Sequence, residues 1–302
     1  MGNKSRSASS NKPKGSKAGF TTKDSIPWPI RFLALLLRVG KDNPAVLWAY
    51  LTGSVRYLLV KFGVLSGAAK HVASVSAEFE AQSAHAEFEE RWFDGNIVPW
   101  CLMFPRVFDR ADPVRILEIG SWEGRSTLFL LTYFGRGHLT AVDTWAGSDE
   151  YHHSSRDLEA RFDGNVAPCV TRLTKRKGSS LDVLPRLLDE QQKFDLIYVD
   201  GSHLADDVLT DGITAWRMLN LGGVMIFDDF LWPCYTRARA NPWWAINMFL
   251  KYHKGEFNVL NAEYQLVLQK KIEFADRVII SPLTSSLQFE DGHRGNGLTA
   301  KP

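Results

Sequence analysis

The chain passes from a strand through a glycine turn into a helix at Glu118-Ile119-Gly120-Ser121-Trp122-Glu123-Gly124. Glycines at positions 120 and 124 let the backbone approach a ligand with no side chain in between. Outward from this turn, from Val114 onward, short apolar runs alternate with helical patterns. This alternation is typical of a doubly wound α/β sheet.

Five parallel strands are predicted at 114–119, 138–143, 170–175, 194–199 and 222–228, with helices near 124–134, 155–166, 180–190 and 205–219. A further helix is predicted near 239–252. The apolar segments 257–260 and 264–268 then follow within a few residues of each other, which favours an antiparallel hairpin. A parallel sheet that ends in a hairpin, seven strands in all, differs from an ordinary dinucleotide-binding fold.

Composition bounds the organisation of the chain. With 302 residues and 45% apolar residues, one sizeable α/β domain with an appendage is expected. We predict a disordered basic tail over 1–25, a helical appendage over 26–90, the main domain over 91–271 and a loosely ordered tail over 272–302. The formal charge of +2 gives no argument for nucleic-acid binding.

Three widely spaced cysteines, Cys101, Cys169 and Cys234, form neither a disulfide framework nor a zinc pattern. This use of cysteine indicates a reducing compartment, and we expect a cytoplasmic protein. Contact with a membrane surface is a further option. Residues 26–70 carry that option because basic residues are spaced through Phe, Leu, Trp and Tyr. The alternative is that these helices pack on the main domain or on a second subunit.

The glycine turn has the spacing G-x-x-x-G rather than the G-x-G-x-x-G that seats a pyrophosphate. Asp143 ends the second strand 23 residues after Gly120, where a carboxylate can accept both hydroxyls of a ribose. Ribose without pyrophosphate suggests S-adenosylmethionine. The other interpretations are a plain strand-to-helix turn and, for Asp143, a helix cap.

The remaining predicted cofactor contacts flank the same strand ends. Trp122 and Trp145 are candidates for the walls of an adenosyl pocket, and 178–181 is a polar turn placed to reach the adenine edge. The full set of predicted cofactor residues is Glu118, Gly120, Ser121, Gly124, Ser126, Asp143, Thr144, Trp145, Ser179, Ser180 and Asp200.

Carboxylates follow the fourth and fifth predicted strands. Asp200 comes directly after 194–199, and Asp228 and Asp229 follow the apolar run that ends at Phe227. Parallel strands bring these side chains to one edge of the sheet, and magnesium prefers oxygen ligands. Asp200, Asp228 and Asp229 are therefore predicted metal ligands, although Asp200 could cap the following helix and Asp229 could be solvated.

His203 lies three residues beyond Asp200. An imidazole accepts a proton at neutral pH, so His203 is the predicted general base, with Asp200 as its catalytic neighbour. A polar loop residue is the alternative. His152 and His153 are candidates for the substrate mouth.

Together these motifs resemble the class I S-adenosylmethionine-dependent methyltransferases. The resemblance covers about 92–271 and rests on the segments 116–121, 141–145, 198–203 and 227–230. More narrowly, the chain is similar to the metal-dependent O-methyltransferases, which include the catechol and caffeoyl-coenzyme A enzymes and the bacterial sugar- and antibiotic-tailoring enzymes. The resemblance implies a Rossmann-like sheet, metal ligation by Asp200, Asp228 and Asp229, and a base at His203, where the catechol enzymes have a lysine.

The expected activity is metal-assisted methylation of a hydroxyl on a small molecule or sugar, by a protein that could form homo-oligomers. Three alternatives stay open: a metal-independent enzyme, a non-catalytic cofactor-binding scaffold, and an NAD-dependent oxidoreductase. The last is disfavoured by the missing pyrophosphate turn and by the C-terminal hairpin.

Overall fold

Seven strands form one mixed sheet, and the structure, a computed structural model, describes residues 28–147, 157–232 and 235–273. The strands are β1 (Arg115–Ile119), β2 (His138–Asp143), β3 (Leu173–Lys177), β4 (Phe194–Val199), β5 (Leu219–Phe227), β6 (Phe257–Ala262) and β7 (Leu266–Lys270). Their order is β3-β2-β1-β4-β5-β7-β6. The first five are parallel, and β7 pairs antiparallel with both β5 and β6. The predicted Rossmann-like sheet with a C-terminal hairpin is confirmed.

Nine α-helices lie within the described ranges: α1 (Trp28–Asp42), α2 (Pro44–Lys61), α3 (Ser66–Gln82), α4 (Ile97–Met103), α5 (Arg125–Tyr133), α6 (Leu158–Val166), α7 (Ser180–Asp189), α8 (Ala205–Met218) and α9 (Pro242–Tyr252). Short 3₁₀ turns occur at Trp92–Asn96, Phe104–Arg106, Ala167–Arg172 and Ala238–Ala240. Most bounds predicted from the sequence agree with these to within a few residues.

The third strand is the clearest difference, because it begins at Leu173 rather than at residue 170. A 3₁₀ turn over Ala167–Arg172 precedes it. The Arg172 guanidinium donates to the carbonyl oxygens of Leu131, Phe134 and Gly137 at 2.8–3.1 Å. These long-range hydrogen bonds hold the segment in a turn, although valine at position 170 favours a strand.

Two apolar cores cover the two faces of the sheet. One contains residues of α7, α8 and α9 together with Leu36, Val39, Val46 and Ala49 of the first two helices. The other contains α4, α5 and α6 together with Val75 and Phe79 of α3. These buried apolar residues of the predicted N-terminal appendage therefore belong to the two cores that cover the sheet.

No single described helix is both long enough and apolar enough to cross a membrane, and only the pair α2 and α3, bent by 81°, passes that test jointly. Several sequence expectations fall outside the described residues: the tail over 1–25, His152 and His153, Cys234 and most of 272–302. Cys101 and Cys169 are buried free thiols.

Candidate active site

A cavity of about 710 Å³ opens at the carboxyl ends of the parallel strands. The strand order reverses between β1 and β4, and in open α/β sheets ligands bind at this switch point. The turns after β1, β2, β3, β4 and β5 all contribute residues to the cavity wall. The fold thus gathers at one edge the predicted site segments that lie within the described residues.

Gly120 brings the β1 turn into direct contact with the end of β4. Its φ is +86°, and a Cβ at this position would overlap the carbonyl oxygen of Asp200 and lie 2.7 Å from Cα of Gly201. Only glycine combines this conformation with this approach. The close contact fixes the distance between the glycine turn and the carboxylate cluster.

Asp143 organises two turns. Its Oδ2 accepts the backbone N–H groups of Ser121 (2.7 Å) and Trp122 (2.9 Å), and its Oδ1 accepts that of Trp145 (2.6 Å). Both tryptophans have positive φ, at 47° and 48°. A carboxylate has about four acceptor positions, so about one remains, whereas the sequence prediction required acceptance of both ribose hydroxyls.

Glu118 lies beneath the glycine turn and is wholly buried. Its Oε2 accepts hydroxyl groups from Ser121 (2.8 Å) and Thr127, while its Oε1 has no partner within the described residues. Burial is the main cause that raises the pKa of Glu118 to about 7. An unpaired buried acceptor under the turn fits the amino group of a bound S-adenosylmethionine.

The cavity wall contains most of the predicted cofactor residues: Gly120, Ser121, Ser126, Asp143, Thr144, Ser179, Ser180 and Asp200. Ser179 also caps α7 through Leu181 N–H (3.2 Å). Three predicted contacts lie outside the lining. Glu118 is beneath it, the Cβ position of Gly124 faces Val166 and Phe162, and Trp145 packs on Phe162 at 4.8 Å between ring centroids. Gly124 and Trp145 thus support the turns from outside the cavity, and the cofactor contacts of all three residues stay predictions.

Asp200 and Asp228 converge on one hydroxyl. The hydroxyl of Tyr198 lies between them, 2.8 Å from Asp200 Oδ2 and within hydrogen-bond distance of Asp228 Oδ2. Burial, followed by the charges of Asp228 and Asp229, raises the pKa of Asp200 well above its usual range. Burial and then Asp229 raise the pKa of Asp228 to about 6.

A hydroxyl carries one hydrogen and cannot donate to two carboxylates at once. The second carboxylate needs either its own proton or a cation. This shortage of positive charge is the observation that fits a divalent metal, since such cations are bound by carboxylate oxygens.

His203 contacts the third carboxylate. Its Nε2 lies 2.5 Å from Asp229 Oδ2, with the two side chains 20% and 14% exposed. The imidazole stacks on Trp232 (4.7 Å, 20°), and Tyr264 donates its hydroxyl to Asp229 Oδ1 (2.6 Å). These contacts fix the ring at the cavity wall.

The best metal geometry within the described residues differs from the predicted set. One ligand atom each of Asp200, His203 and Asp229 lie within 4.8 Å of one another. Asp228 uses Oδ2 toward Tyr198 and Oδ1 to accept Asp229 N–H (2.8 Å). His203 thus joins Asp200 and Asp229 in this geometry, while Asp228 lines the same cavity and its ligand role stays a prediction.

Sequence reasoning missed Tyr198, Trp232 and Tyr264. Tyr198 had a signal, because it lies two residues before Asp200 and side chains two apart on a strand share a face. Trp232 and Tyr264 had none, since their contacts with His203 and Asp229 exist only after the chain has folded.

Residues 117–230 match the family model described as a methyltransferase domain. The O-methyltransferase hkm8 of Aspergillus hancockii is 30% identical over 139 residues, which are 44% of this chain and 50% of that protein. The demethylmacrocin O-methyltransferase of Streptomyces fradiae is 28% identical over 134 residues, or 42% of this chain and 29% of that protein. The chain therefore spans half or less of these curated relatives.

A solved structure of the MycE methyltransferase with Mg, SAH and mycinamycin VI is 17% identical and has a TM-score of 0.46, covering 70% of this chain and 57% of that one. A putative caffeoyl-CoA O-methyltransferase from Staphylococcus aureus is 15% identical, also with a TM-score of 0.46, and covers 71% of this chain and 99% of that one. The sequence matches confirm the resemblance to the class I S-adenosylmethionine-dependent methyltransferases.

Proposed function

We propose that this methyltransferase domain transfers a methyl group from S-adenosylmethionine to a hydroxyl of a small molecule or sugar, assisted by a divalent metal. The observation that carries the proposal is the placement of three carboxylates and His203 in the same cavity as the glycine turn and Asp143. Three of the curated relatives are named O-methyltransferases, which supports oxygen as the acceptor atom.

When bound, S-adenosylmethionine supplies an electrophilic methyl group, and a divalent cation lowers the pKa of a nearby hydroxyl and neutralises charge. Asp200 and Asp229 are the carboxylates placed to hold the cation, and His203 lies near enough to be either a third ligand or the proton acceptor. Gly120, Ser121 and Asp143 line the part of the cavity assigned to the adenosyl and methionine groups.

The residues of the chain then position the acceptor and receive its proton. If the cation is held by the carboxylates alone, the imidazole of His203 is the proton acceptor, and Asp229 at 2.5 Å stabilises the imidazolium that results. The stacked Trp232 limits rotation of the ring. The C–S bond of the donor breaks as the O–C bond forms, and the sulfur retains the electron pair.

Calorimetric titration of S-adenosylmethionine into the full chain, with and without Mg²⁺, tests the proposal first. We expect binding with a dissociation constant in the micromolar range. Transfer of isotope-labelled methyl to catechols and to hexose glycosides then tests turnover. The variant Asp200→Asn should lose turnover, while Asp189→Asn, an exposed carboxylate at the end of α7, should not.

Failure of the folded protein to bind S-adenosylmethionine would refute the proposal in favour of a scaffold. Full activity of Asp200→Asn, or activity unchanged by a chelator, would refute the metal role while leaving methyl transfer intact. Binding of NAD instead of S-adenosylmethionine would favour the oxidoreductase.

A further inference from the structure

Helix α2 presents a row of large apolar side chains to solvent. Trp48, Leu51, Val55, Leu58 and Phe62, the residue that follows the helix, are 69%, 56%, 55%, 47% and 75% exposed. They are spaced three or four residues apart, so they form one stripe along the helix. We call these five residues the α2 stripe.

The opposite side of the same helix meets the domain. Val46, Ala49 and Val60 are 8% exposed or less, and the first two belong to a core that covers the sheet. The stripe is therefore a second apolar face of α2, because Val46, Ala49 and Val60 already form the face that packs on the domain. Val64 (66% exposed) and Leu65 (37%) extend the apolar surface into the turn before α3.

Basic residues outnumber acidic ones in the segment that contains the stripe. Between residues 28 and 77 the only carboxylate is Asp42, which is already paired with Lys251 at 2.7 Å. The same stretch contains six basic residues: Arg31, Arg38, Lys41, Arg56, Lys61 and Lys70. At 100° per residue, Arg56 and Lys61 lie on opposite flanks of the stripe.

A second feature adds to this excess of positive charge. A cavity of about 220 Å³ beside α2 is lined by Arg56, Arg106 and one carboxylate, Glu263, together with Thr52 and Tyr57. Burial, followed by the charge of Arg56, lowers the pKa of Arg106. The two guanidinium groups face one carboxylate, so the cavity has one positive charge in excess. An apolar groove lined by Trp48, Leu51, Val55 and Leu59 adjoins it and shares Thr52 and Arg56.

We propose that the α2 stripe and the following turn rest on a membrane surface that contains anionic phospholipid. The apolar side chains enter the boundary between headgroups and acyl chains, and Arg56, Lys61 and Arg106 contact lipid phosphates. Trp48, in the stripe, is a side chain that favours this interfacial depth. The inference is independent of the proposed activity.

Charge favours a membrane over a second copy of the chain as the occupant. A two-fold contact through the stripe would bring the same surface of both copies together. The contact would then gather Arg56 and Lys61 of both copies, against Asp42, which is already paired with Lys251, and Glu263, which lies 3.4 Å from the Cβ position of Gly53. An anionic lipid surface neutralises these charges instead.

The test is co-sedimentation of the full chain with phosphatidylcholine vesicles that contain or lack phosphatidylglycerol. We expect binding that needs phosphatidylglycerol and weakens with salt. The variant Leu51→Glu/Val55→Glu should reduce the partition coefficient by at least about tenfold, because it places charge in the acyl boundary. The matched control is Val170→Glu/Leu221→Glu, at sites 62% and 57% exposed elsewhere, which should bind like the wild type.

A third variant, Arg56→Gln/Lys61→Gln, should remove most of the salt-sensitive part of binding. Thermal unfolding of every variant checks that α2 still packs on the sheet. The proposal is overturned if the wild type ignores anionic vesicles, if Leu51→Glu/Val55→Glu binds as well as the control, or if sedimentation shows a dimer that the stripe variant dissociates and that does not bind vesicles.

Discussion

Replacing Gly120 with alanine tests whether the contact between β1 and β4 shapes the site. The new Cβ would overlap the Asp200 carbonyl oxygen and lie 2.5 Å from the Asp200 carbonyl carbon, both of which are backbone atoms that cannot rotate away. Left-handed φ costs a non-glycine residue about 1–2 kcal/mol. Overpacking costs about 1–3 kcal/mol more, while alanine recovers about 0.4–1 kcal/mol from the unfolded chain.

Gly120→Ala should therefore lower the free energy of unfolding by about 1–5 kcal/mol. Gly255→Ala is the matched control, because Gly255 has φ +88° and nothing within 4 Å of the added Cβ. This variant measures the cost of the backbone conformation without the overlap, and its free energy of unfolding should fall by about 1.5 kcal/mol or less. Urea unfolding followed by circular dichroism measures both, and titration of S-adenosylmethionine measures the site.

The overlap predicts that Gly120→Ala weakens cofactor binding, because the β1 turn must move away from Asp200. Gly255→Ala should bind normally. Equal stability losses in the two variants would refute the steric argument. A strongly destabilised Gly120→Ala protein with unchanged cofactor affinity would show that the contact between β1 and β4 stabilises the fold without shaping the cofactor site.

Three further predictions concern titratable groups. Tyr198→Phe should lower the free energy of unfolding by about 1–3 kcal/mol without Mg²⁺ and by less with it, since the cation replaces the lost hydroxyl; equal losses in thermal or urea unfolding would contradict this. His203→Asn should reduce turnover about 100-fold or more with calorimetric cofactor affinity unchanged, and retained turnover would remove the base role. Burial raises the pKa of Asp211 from 3.8 to about 7, so the folded protein holds that proton more tightly and loses stability as pH rises from about 4 to 7. Asp211→Asn should therefore gain stability relative to wild type across this range, and parallel pH profiles would refute the assignment.

The sheet was predictable because buried parallel strands are short apolar runs. Residues 194–199 have no competing interpretation, and Phe194–Val199 is the observed strand. The start of β3 was not predictable, because contacts of Arg172 with three distant carbonyls decide it. In the site, chain position placed Asp200 and Asp228 at one edge, but only the folded chain reveals that they share Tyr198.

The ligand role of Asp143 is tied to its structural role. Trp122, Trp145 and Asp229 have positive φ near the cavity, and each backbone N–H is held by a carboxylate that we also assign to the site. Strained backbone of this kind persists only where neighbouring groups hold it. Removing Asp143 releases two such turns at once, so weaker cofactor binding in Asp143→Ala has two explanations. Loss of affinity with an unchanged free energy of unfolding would indicate direct contact with the ribose, whereas parallel losses of both would indicate that Asp143 acts through the turns.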